Sequence, residues 1–138
     1  MSEPRYILRP IGQVESPLEL REEAPKQGDE GAPEASLVFD EAMADGLRDL
    51  EVGGELLVLT WLDRANRDVL TVHPCGDRSR PATGVFSTRS PDRPNPLGLH
   101  RVAILAIDGL RIHVQGLEAL DGTPILDVKP PLGRVEER

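Results

Sequence analysis

An antiparallel β-hairpin is predicted by residues 101–117, which read RVAILAIDGLRIHVQGL. Two apolar runs, Arg101–Ile107 and Arg111–Leu117, flank Asp108-Gly109, a dipeptide that tight hairpin turns favour. Similar short runs, separated by glycine, proline and aspartate, precede and follow this hairpin. The sequence therefore indicates a series of short strands joined by turns.

The other predicted elements are mostly strands. They are Tyr6–Val14, Glu55–Leu62, Asp68–His73 and Ile125–Lys129, with a further brief apolar run at Ala35–Phe39. One short helix is predicted over Glu41–Leu50, with Asp40 as its N-cap. Its apolar residues, Met43, Leu47 and Leu50, recur at helical spacing.

The fold class follows from the apolar residues on both faces of these runs. Such strands are covered by a second sheet, a closed interior or a partner subunit. We expect a mainly β fold, a single antiparallel β-barrel of about six to eight strands with one short helix. The 138 residues suit one domain, 1–138, ending in a short C-terminal tail at 132–138.

Composition excludes several classes of site. The single cysteine, Cys75, leaves no intrachain disulfide and no multi-cysteine zinc site. His73, His100 and His113 show no metal-ligand spacing, so we expect no metal. No apolar segment approaches the length of a membrane span, and residues 1–5 lack the features of a signal peptide. We therefore expect a cytoplasmic protein.

Charge is distributed unevenly along the chain, whose formal net charge is -8. Residues 15–51 hold twelve acidic and three basic side chains, whereas residues 64–101 hold seven arginines and three aspartates. A basic, loop-rich face can attract an anionic ligand despite the overall sign. The alternative is an acidic surface that serves solubility, and charge alone does not choose between them.

A proline-rich segment, Gly84–Leu99, reads GVFSTRSPDRPNPLGL and precedes the hairpin. Each of its three prolines fixes φ and restricts the residue before it. The segment is therefore predicted to be a stiff loop that holds Arg89 and Arg93 at set positions, as binding loops do. The alternative is an ordinary proline-rich turn with solvated arginines.

Five segments together resemble the TsaA-like (TrmO-type) family of methyltransferases. They are Ile11–Pro17, Pro25–Gln27, His73–Asp77 with Ser79–Pro81, Gly84–Leu99 and Leu120–Pro130. The resemblance implies a β-barrel that binds S-adenosyl-L-methionine, usually as a homodimer. It also implies tRNA as the substrate, methylated on N6 of the threonylcarbamoyl-adenosine beside the anticodon.

The resemblance also implies a set of cofactor-binding residues. They are Pro25, Lys26, Gln27, Asp63, Arg64, Arg89, Leu99, Asp121, Gly122, Thr123 and Pro124. Their chemistry suits this cofactor, because an arginine can bind its carboxylate and a leucine can pack against its adenine. Arg89 can equally bind an RNA phosphate, Asp121-Gly122 can be only a turn, and Asp63-Arg64 can be a surface ion pair.

The proton released by methyl transfer has one tentative acceptor, Asp127. The alternative is a structural role, in which Asp127 pairs with Lys129 or Arg93.

Some positions depart from the family pattern. A histidine-glutamine pair common in the tRNA enzymes is Asp63-Arg64 here, and this sequence ends eight residues past Pro130, where longer members continue into a further domain. Only four aromatic residues are available to stack on bases. Two alternatives therefore stand beside tRNA methylation, a methyltransferase for another adenine-like or small substrate and a non-catalytic cofactor-binding barrel.

Overall fold

The computed structural model describes residues 3–17, 34–73 and 76–132. Pro25, Lys26 and Gln27, and all but the first residue of the predicted tail, lie outside these ranges. The strands are β1 Gly12–Glu15, β2 Ala35–Phe39, β3 Glu55–Trp61, β4 Thr71–Val72, β5 Thr83–Gly84, β6 Leu97–Asp108, β7 Arg111–Gln115 and β8 Pro124–Lys129. Two short 3₁₀ helices span Glu41–Leu47 and Val85–Ser87.

Six of these strands hydrogen-bond in a closed ring in the order β1-β2-β7-β6-β3-β8, and every pairing is antiparallel. Because β8 pairs with β1, the ring has no open edge. The other two strands, β4 and β5, form a separate ribbon. The expectation of a mainly β, antiparallel fold is confirmed for the described residues.

The interior of the ring is apolar. Side chains along strand β6 are alternately buried and exposed. Val102 and Ile104 are buried, whereas Leu99 and Arg101 are exposed. The buried cluster comprises Val14, Ala35, Leu37, Phe39, Leu56, Val58, Val102, Ile104, Ile112, Val114, Leu117, Ala119 and Ile125. This alternation is the pattern of strands whose inner side chains fill a closed sheet.

The predicted hairpin is present, with Asp108 opposite Arg111. Its two central residues are Gly109 and Leu110 rather than Asp108 and Gly109. Gly109 has φ +59°, which matches glycine at the first central position of a type II′ turn. The register places the glycine where a positive φ is required.

Several predicted boundaries are wrong. The first strand begins at Gly12 rather than Tyr6, and Tyr6 and Ile7 are almost fully exposed. Pro10 lacks a backbone donor, and the partner strands pair only from Gly12 onward. Of the predicted strand Asp68–His73, only β4 forms.

The predicted helix is a 3₁₀ helix that ends at Leu47, and Asp40 makes no side-chain cap. Gly46 weakens helical propensity near its end, and only partly buried side chains attach it to the core. None of the helices in the described ranges is long and apolar enough to cross a membrane.

Strand β6 starts at Leu97, four residues earlier than predicted. Pro96 precedes it, and Leu97 pairs with Trp61 at the end of β3. The last residues of the predicted stiff loop are therefore the first residues of a central strand, which fixes the end of the loop to the barrel.

Candidate functional site

A long loop, residues 62–96, joins β3 to β6 and is called here the β3–β6 loop. Both of its ends are anchored, because Trp61 pairs with Leu97 and the Leu62 amide donates to the Pro96 carbonyl at 2.8 Å. The loop carries the β4–β5 ribbon and the second 3₁₀ helix. Such an anchored loop is a scaffold on which a site can be held in a fixed shape.

A cleft of about 1180 Å³, called here the β3–β6 cleft, lies between the β3–β6 loop, the start of β6 and residues 118–120 and 123 of the β7–β8 connection. Its volume is slightly above the range that is typical of small-molecule and cofactor sites, about 300–1,000 Å³. Leu97 and Leu99 line it and are 43% and 48% exposed, unusually high for leucines in a central strand. The cleft therefore has apolar walls that nothing else in the described chain covers.

Arg93 holds the β3–β6 loop together from within. Its guanidinium donates to the carbonyl oxygens of Thr88 at 3.2 Å, Ser90 at 3.3 Å and Val85. Arg93 is half-buried, so these bonds replace those that water would make. The predicted fixed position of Arg93 is confirmed, and three of its hydrogen bonds go to the loop itself.

Arg67 supports the other side of the loop. It donates to the Pro94 carbonyl at 2.7 Å and to Asn95 Oδ1 at 3.2 Å. Its guanidinium carbon also lies 5.1 Å from the centre of the Trp61 ring, a cation–π distance. Together with the prolines, these bonds account for the stiffness that the sequence predicts.

Arg89 lies at the cleft and contacts its floor. Its Nη2 donates to the Leu99 carbonyl at 2.6 Å, which holds the guanidinium against β6. The side chain is exposed and lines the cleft, so its remaining N–H donors are available to a ligand. This arrangement suits recognition of a carboxylate or a phosphate.

Five of the predicted cofactor residues line this cleft, namely Asp63, Arg64, Arg89, Leu99 and Thr123. Gly122 and Pro124 instead line a smaller pocket of about 260 Å³, with Pro10 and Gly12 among its other residues. Asp121 lines neither cavity. The structure thus brings together about half of the set that the sequence predicts.

The Asp121-Gly122 segment forms the predicted turn. The Thr123 amide donates to the Leu120 carbonyl at 3.1 Å, and Gly122 has φ +83°, as in the third position of a type II turn. Asp121 Oδ1 accepts from the Ser16 amide at 2.9 Å. These bonds give the turn a structural role and place Thr123 and Gly122 against different cavities.

Asp127 lies on the outer side of β8, outside both cavities. Its Oδ1 accepts from the Val128 amide at 2.9 Å, and its Oδ2 is 4.0 Å from Lys129 Nζ. This is the pairing with Lys129 that the sequence offered as the alternative role. Its assignment as proton acceptor stays a prediction.

Sequence reasoning missed a buried polar group beneath the cleft. His100 is only 7% exposed, faces inward from β6, and its Nε2 is 2.9 Å from Thr60 Oγ1. Burial, reinforced by the positive charge of Arg89, lowers the pKa of His100 to about 4. The sequence contains one signal for this pair. His100 and Thr60 both occupy positions that face inward in strands whose other inward side chains are mostly apolar.

Gly98 makes room for this pair. A Cβ on Gly98 would lie 2.3 Å from Thr60 Oγ1 and 2.7 Å from His100 Nε2. Both contacts are shorter than non-bonded atoms tolerate, so the missing side chain is what allows the hydrogen bond across the strands.

No group of three or more histidine, cysteine, aspartate or glutamate side chains is arranged to hold a metal ion within residues 3–17, 34–73 and 76–132.

Comparison with known sequences gives a consistent result. The family model described as the tRNA-methyltransferase O N-terminal domain matches residues 13–136. The chain is 47% identical over 124 residues to an S-adenosyl-L-methionine-binding protein of Archaeoglobus fulgidus, covering 89% of this chain and 87% of that protein. It is 43% identical over 130 residues to a probable S-adenosyl-L-methionine-binding protein of Methanothermobacter thermautotrophicus, covering 94% and 93% respectively.

Two solved structures share the fold. A crystal structure of TrmO superposes with a TM-score of 0.75 at 28% identity, covering 94% of this chain and 58% of that one. TrmO from Pseudomonas aeruginosa gives a TM-score of 0.71 at 26% identity, covering 94% and 57%. The chain thus spans a little more than half the length of these solved proteins.

Proposed function

Because this chain belongs to the tRNA-methyltransferase O N-terminal domain family, we propose that it is an S-adenosyl-L-methionine-dependent methyltransferase whose donor binds in the β3–β6 cleft. The observation that carries the proposal is the cleft itself. Its apolar strand residues lie beside a fixed arginine, and the relatives with the same sequence pattern are named for binding this donor.

The side chains in the cleft fit the chemistry of this donor. Leu97 and Leu99 offer apolar surface for an adenine ring, and Arg89 offers donors for the amino-acid carboxylate. Asp63 lines the same cleft and can accept from an ammonium or ribose hydroxyl group. Pro25, Lys26 and Gln27 lie outside the described residues, and their contacts with the donor are part of this proposal.

The donor supplies an activated methyl group when it is bound. The chain's own contribution is placement, because methyl transfer requires the acceptor nitrogen to lie in line with the methyl carbon. A β3–β6 loop fixed by Arg93 and Arg67 can hold Arg89 in one position and so define where the donor lies. Asp127 lines neither cavity, and its role as acceptor of the departing proton stays a prediction.

The proposed acceptor is N6 of threonylcarbamoyl-adenosine beside the tRNA anticodon. Arg64 and Arg78 line the same cleft and are exposed, which suits contacts to RNA phosphates. A base in an anticodon loop is already single-stranded, so little unpairing energy opposes its entry. A tRNA substrate also suits the cytoplasmic location proposed for this protein.

We further propose a homodimer. The exposed apolar residues Tyr6, Ile7 and Leu8 precede β1 and are 87%, 92% and 56% exposed. Consecutive exposed apolar residues are the kind of surface that a second subunit covers.

A different methyl acceptor is the second candidate, because the net charge of -8 opposes RNA binding. The alternative is another adenine-like or small substrate, or binding without turnover. Mass spectrometry of nucleosides from tRNA incubated with the protein and donor separates these. A gain of one methyl group on threonylcarbamoyl-adenosine supports the proposed acceptor, and no gain in the presence of measurable donor binding supports the alternatives.

Calorimetry with S-adenosyl-L-methionine tests the cleft. We expect Arg89→Ala to weaken binding by about tenfold or more, because it removes a charged hydrogen bond. The matched control is Arg101→Ala, since Arg101 lies on the same strand but bonds Glu55 on the outer surface. Equal affinities for the two variants would contradict the assignment of Arg89.

A further inference from the structure

His100 is buried, and only one of its two ring nitrogens has a hydrogen-bond partner among the described residues. Its Nε2 lies 2.9 Å from Thr60 Oγ1, whereas Nδ1 is buried without a hydrogen-bond partner among the described residues. The residue also lines the β3–β6 cleft, and Thr60 does not. Nε2 therefore bonds a residue of the barrel interior, whereas Nδ1 is an unsatisfied polar atom of a residue that lines the cleft.

Hydrogen-bond accounting identifies which nitrogen carries the proton. If Nε2–H donated to Thr60, the threonine hydroxyl hydrogen and the Nδ1 lone pair would both be left without partners. If the Thr60 hydroxyl donates to Nε2, the proton lies on Nδ1 and only that N–H lacks a partner. The second arrangement leaves fewer buried polar groups unsatisfied, so it is favoured.

Arg89 lies close enough to His100 for its charge to act on the ring. Its guanidinium bonds the carbonyl of Leu99, the residue before His100, and its charge disfavours protonation of the ring. The imidazole is therefore a neutral donor at ordinary pH, set beside a permanent cation. Two such donors side by side suit one acceptor group with negative charge.

We propose that the Nδ1–H of His100 is a donor to the carboxylate of the bound methyl donor, alongside Arg89. The proposal rests on the proposed function and adds a residue that recognises one named group of the ligand. A buried N–H donor without a partner lowers the stability of the fold, and a hydrogen bond to the ligand carboxylate would supply the missing partner. The proposal also accounts for Gly98, whose lack of a side chain permits the Thr60–His100 bond that orients the ring.

The test compares two ligands and two variants by calorimetry. His100→Gln places an amide near the position of Nε2 and no polar atom at Nδ1, whereas His100→Asn does the reverse. We expect His100→Gln to lose about tenfold in affinity for S-adenosyl-L-methionine. The same variant should bind the decarboxylated analogue as the unsubstituted protein does, and His100→Asn should lose less than His100→Gln. An equal loss for both ligands, or no loss, would overturn the proposal.

The ring itself gives a second readout that does not depend on any variant folding. Long-range ¹H–¹⁵N spectra of the unsubstituted protein report which ring nitrogen is protonated. We expect Nδ1–H for His100, with a shift of that nitrogen when S-adenosyl-L-methionine is added and a smaller one with the decarboxylated analogue. A proton on Nε2, or equal shifts with both ligands, would overturn the proposal.

Failure of this inference is distinguishable from failure of the proposed function. If the unsubstituted protein binds no S-adenosyl-L-methionine, the proposed function fails and this inference fails with it. If it binds the donor and loses affinity on Arg89→Ala but not on His100→Gln, only the role of His100 is overturned.

Discussion

Arg89 and Arg93 are separated by three residues and have different roles. Arg93 is turned into the loop, where it bonds three carbonyl oxygens, whereas Arg89 lines the cleft and, among the described residues, bonds only the Leu99 carbonyl. The sequence identifies both as fixed cations but contains no signal for the direction in which each points. That direction depends on which carbonyls the folded loop leaves unpaired, a property of three-dimensional packing.

Gly98 provides a prediction at the scale of one residue. We expect Gly98→Ala to lower the free energy of unfolding by roughly 1–3 kcal/mol, because its methyl group would overlap the Thr60 and His100 side chains. Urea denaturation measures the change. Gly84→Ala is the matched control, since a Cβ there meets nothing within 4 Å. A similar loss for both variants would contradict the explanation by overlap with the buried pair, since backbone entropy alone favours alanine over glycine.

His100 also predicts a pH dependence of stability. Its folded-state pKa of about 4 lies below the usual value of 6.5, so the unfolded chain binds a proton first as the pH falls. Stability from this group is full above pH 6.5 and is lost progressively between pH 6.5 and 4. The full loss is on the order of 3 kcal/mol.

The measurement is the free energy of unfolding at several pH values. His100→Gln should remove most of the slope in this window. An unchanged slope in His100→Gln would show that other groups cause it.

At the scale of elements, strand pairing within the described part of the β3–β6 loop is confined to the β4–β5 ribbon, and residues 85–96 are held largely by the side chains of Arg93 and Arg67. We expect Arg93→Lys to speed amide hydrogen exchange in residues 85–96, because a lysine cannot reach three carbonyls with the same geometry. Protection in β3 and β7 should stay within error, since both pair inside the ring. Arg48→Lys, at an exposed arginine of a distant turn, is the control. Equal exchange in the loop of both variants would contradict this role.

The strands that the sequence predicts well are those with a complete apolar pattern. β3 and the β6–β7 hairpin follow from alternation and a turn dipeptide, and the structure moves their ends by a few residues. The early start of β6 and the short β4 could not be predicted, because strand ends depend on which partner is opposite. Leu97 is a strand residue because Trp61 pairs with it, although its own sequence context of Asn95-Pro96 resembles a loop.

The candidate site was only partly predictable for the same reason. Arg89 and Leu99 stand out in a family-like motif and lie in the cleft. His100 follows Leu99 directly but was not identified, because only the barrel geometry places it next to Thr60 across the strands. Gly122 and Pro124 are the direct neighbours of Thr123 in sequence but line a different cavity, and no sequence pattern indicates which cavity each of the three residues faces.

At the scale of the whole molecule, the residues that stabilise the closed ring are mostly different from those that line the cleft. The apolar interior lies within six paired strands, while the cleft is built largely from the β3–β6 loop and the start of β6. Substitutions in the cleft should therefore alter binding more than folding. His100 is the exception, since it lines the cleft and also bonds Thr60 in the interior.

The homodimer is a prediction about the assembled molecule. Light scattering coupled to size-exclusion chromatography should give about twice the chain mass of 15.1 kDa. Ile7→Asp should shift the protein toward the monomer, because it places a charge among exposed apolar residues, whereas Val52→Asp, at an exposed residue away from this segment, should not. A monomeric mass for the unsubstituted protein would contradict the dimer.

The location of the methyl donor is tested most directly by a crystal structure of the protein grown with S-adenosyl-L-methionine. We expect electron density for the donor in the β3–β6 cleft, with its carboxylate within hydrogen-bond distance of Arg89 and its adenine against Leu97 or Leu99. Density for the donor in the smaller pocket at Gly122 and Pro124, or elsewhere on the barrel, would contradict the account.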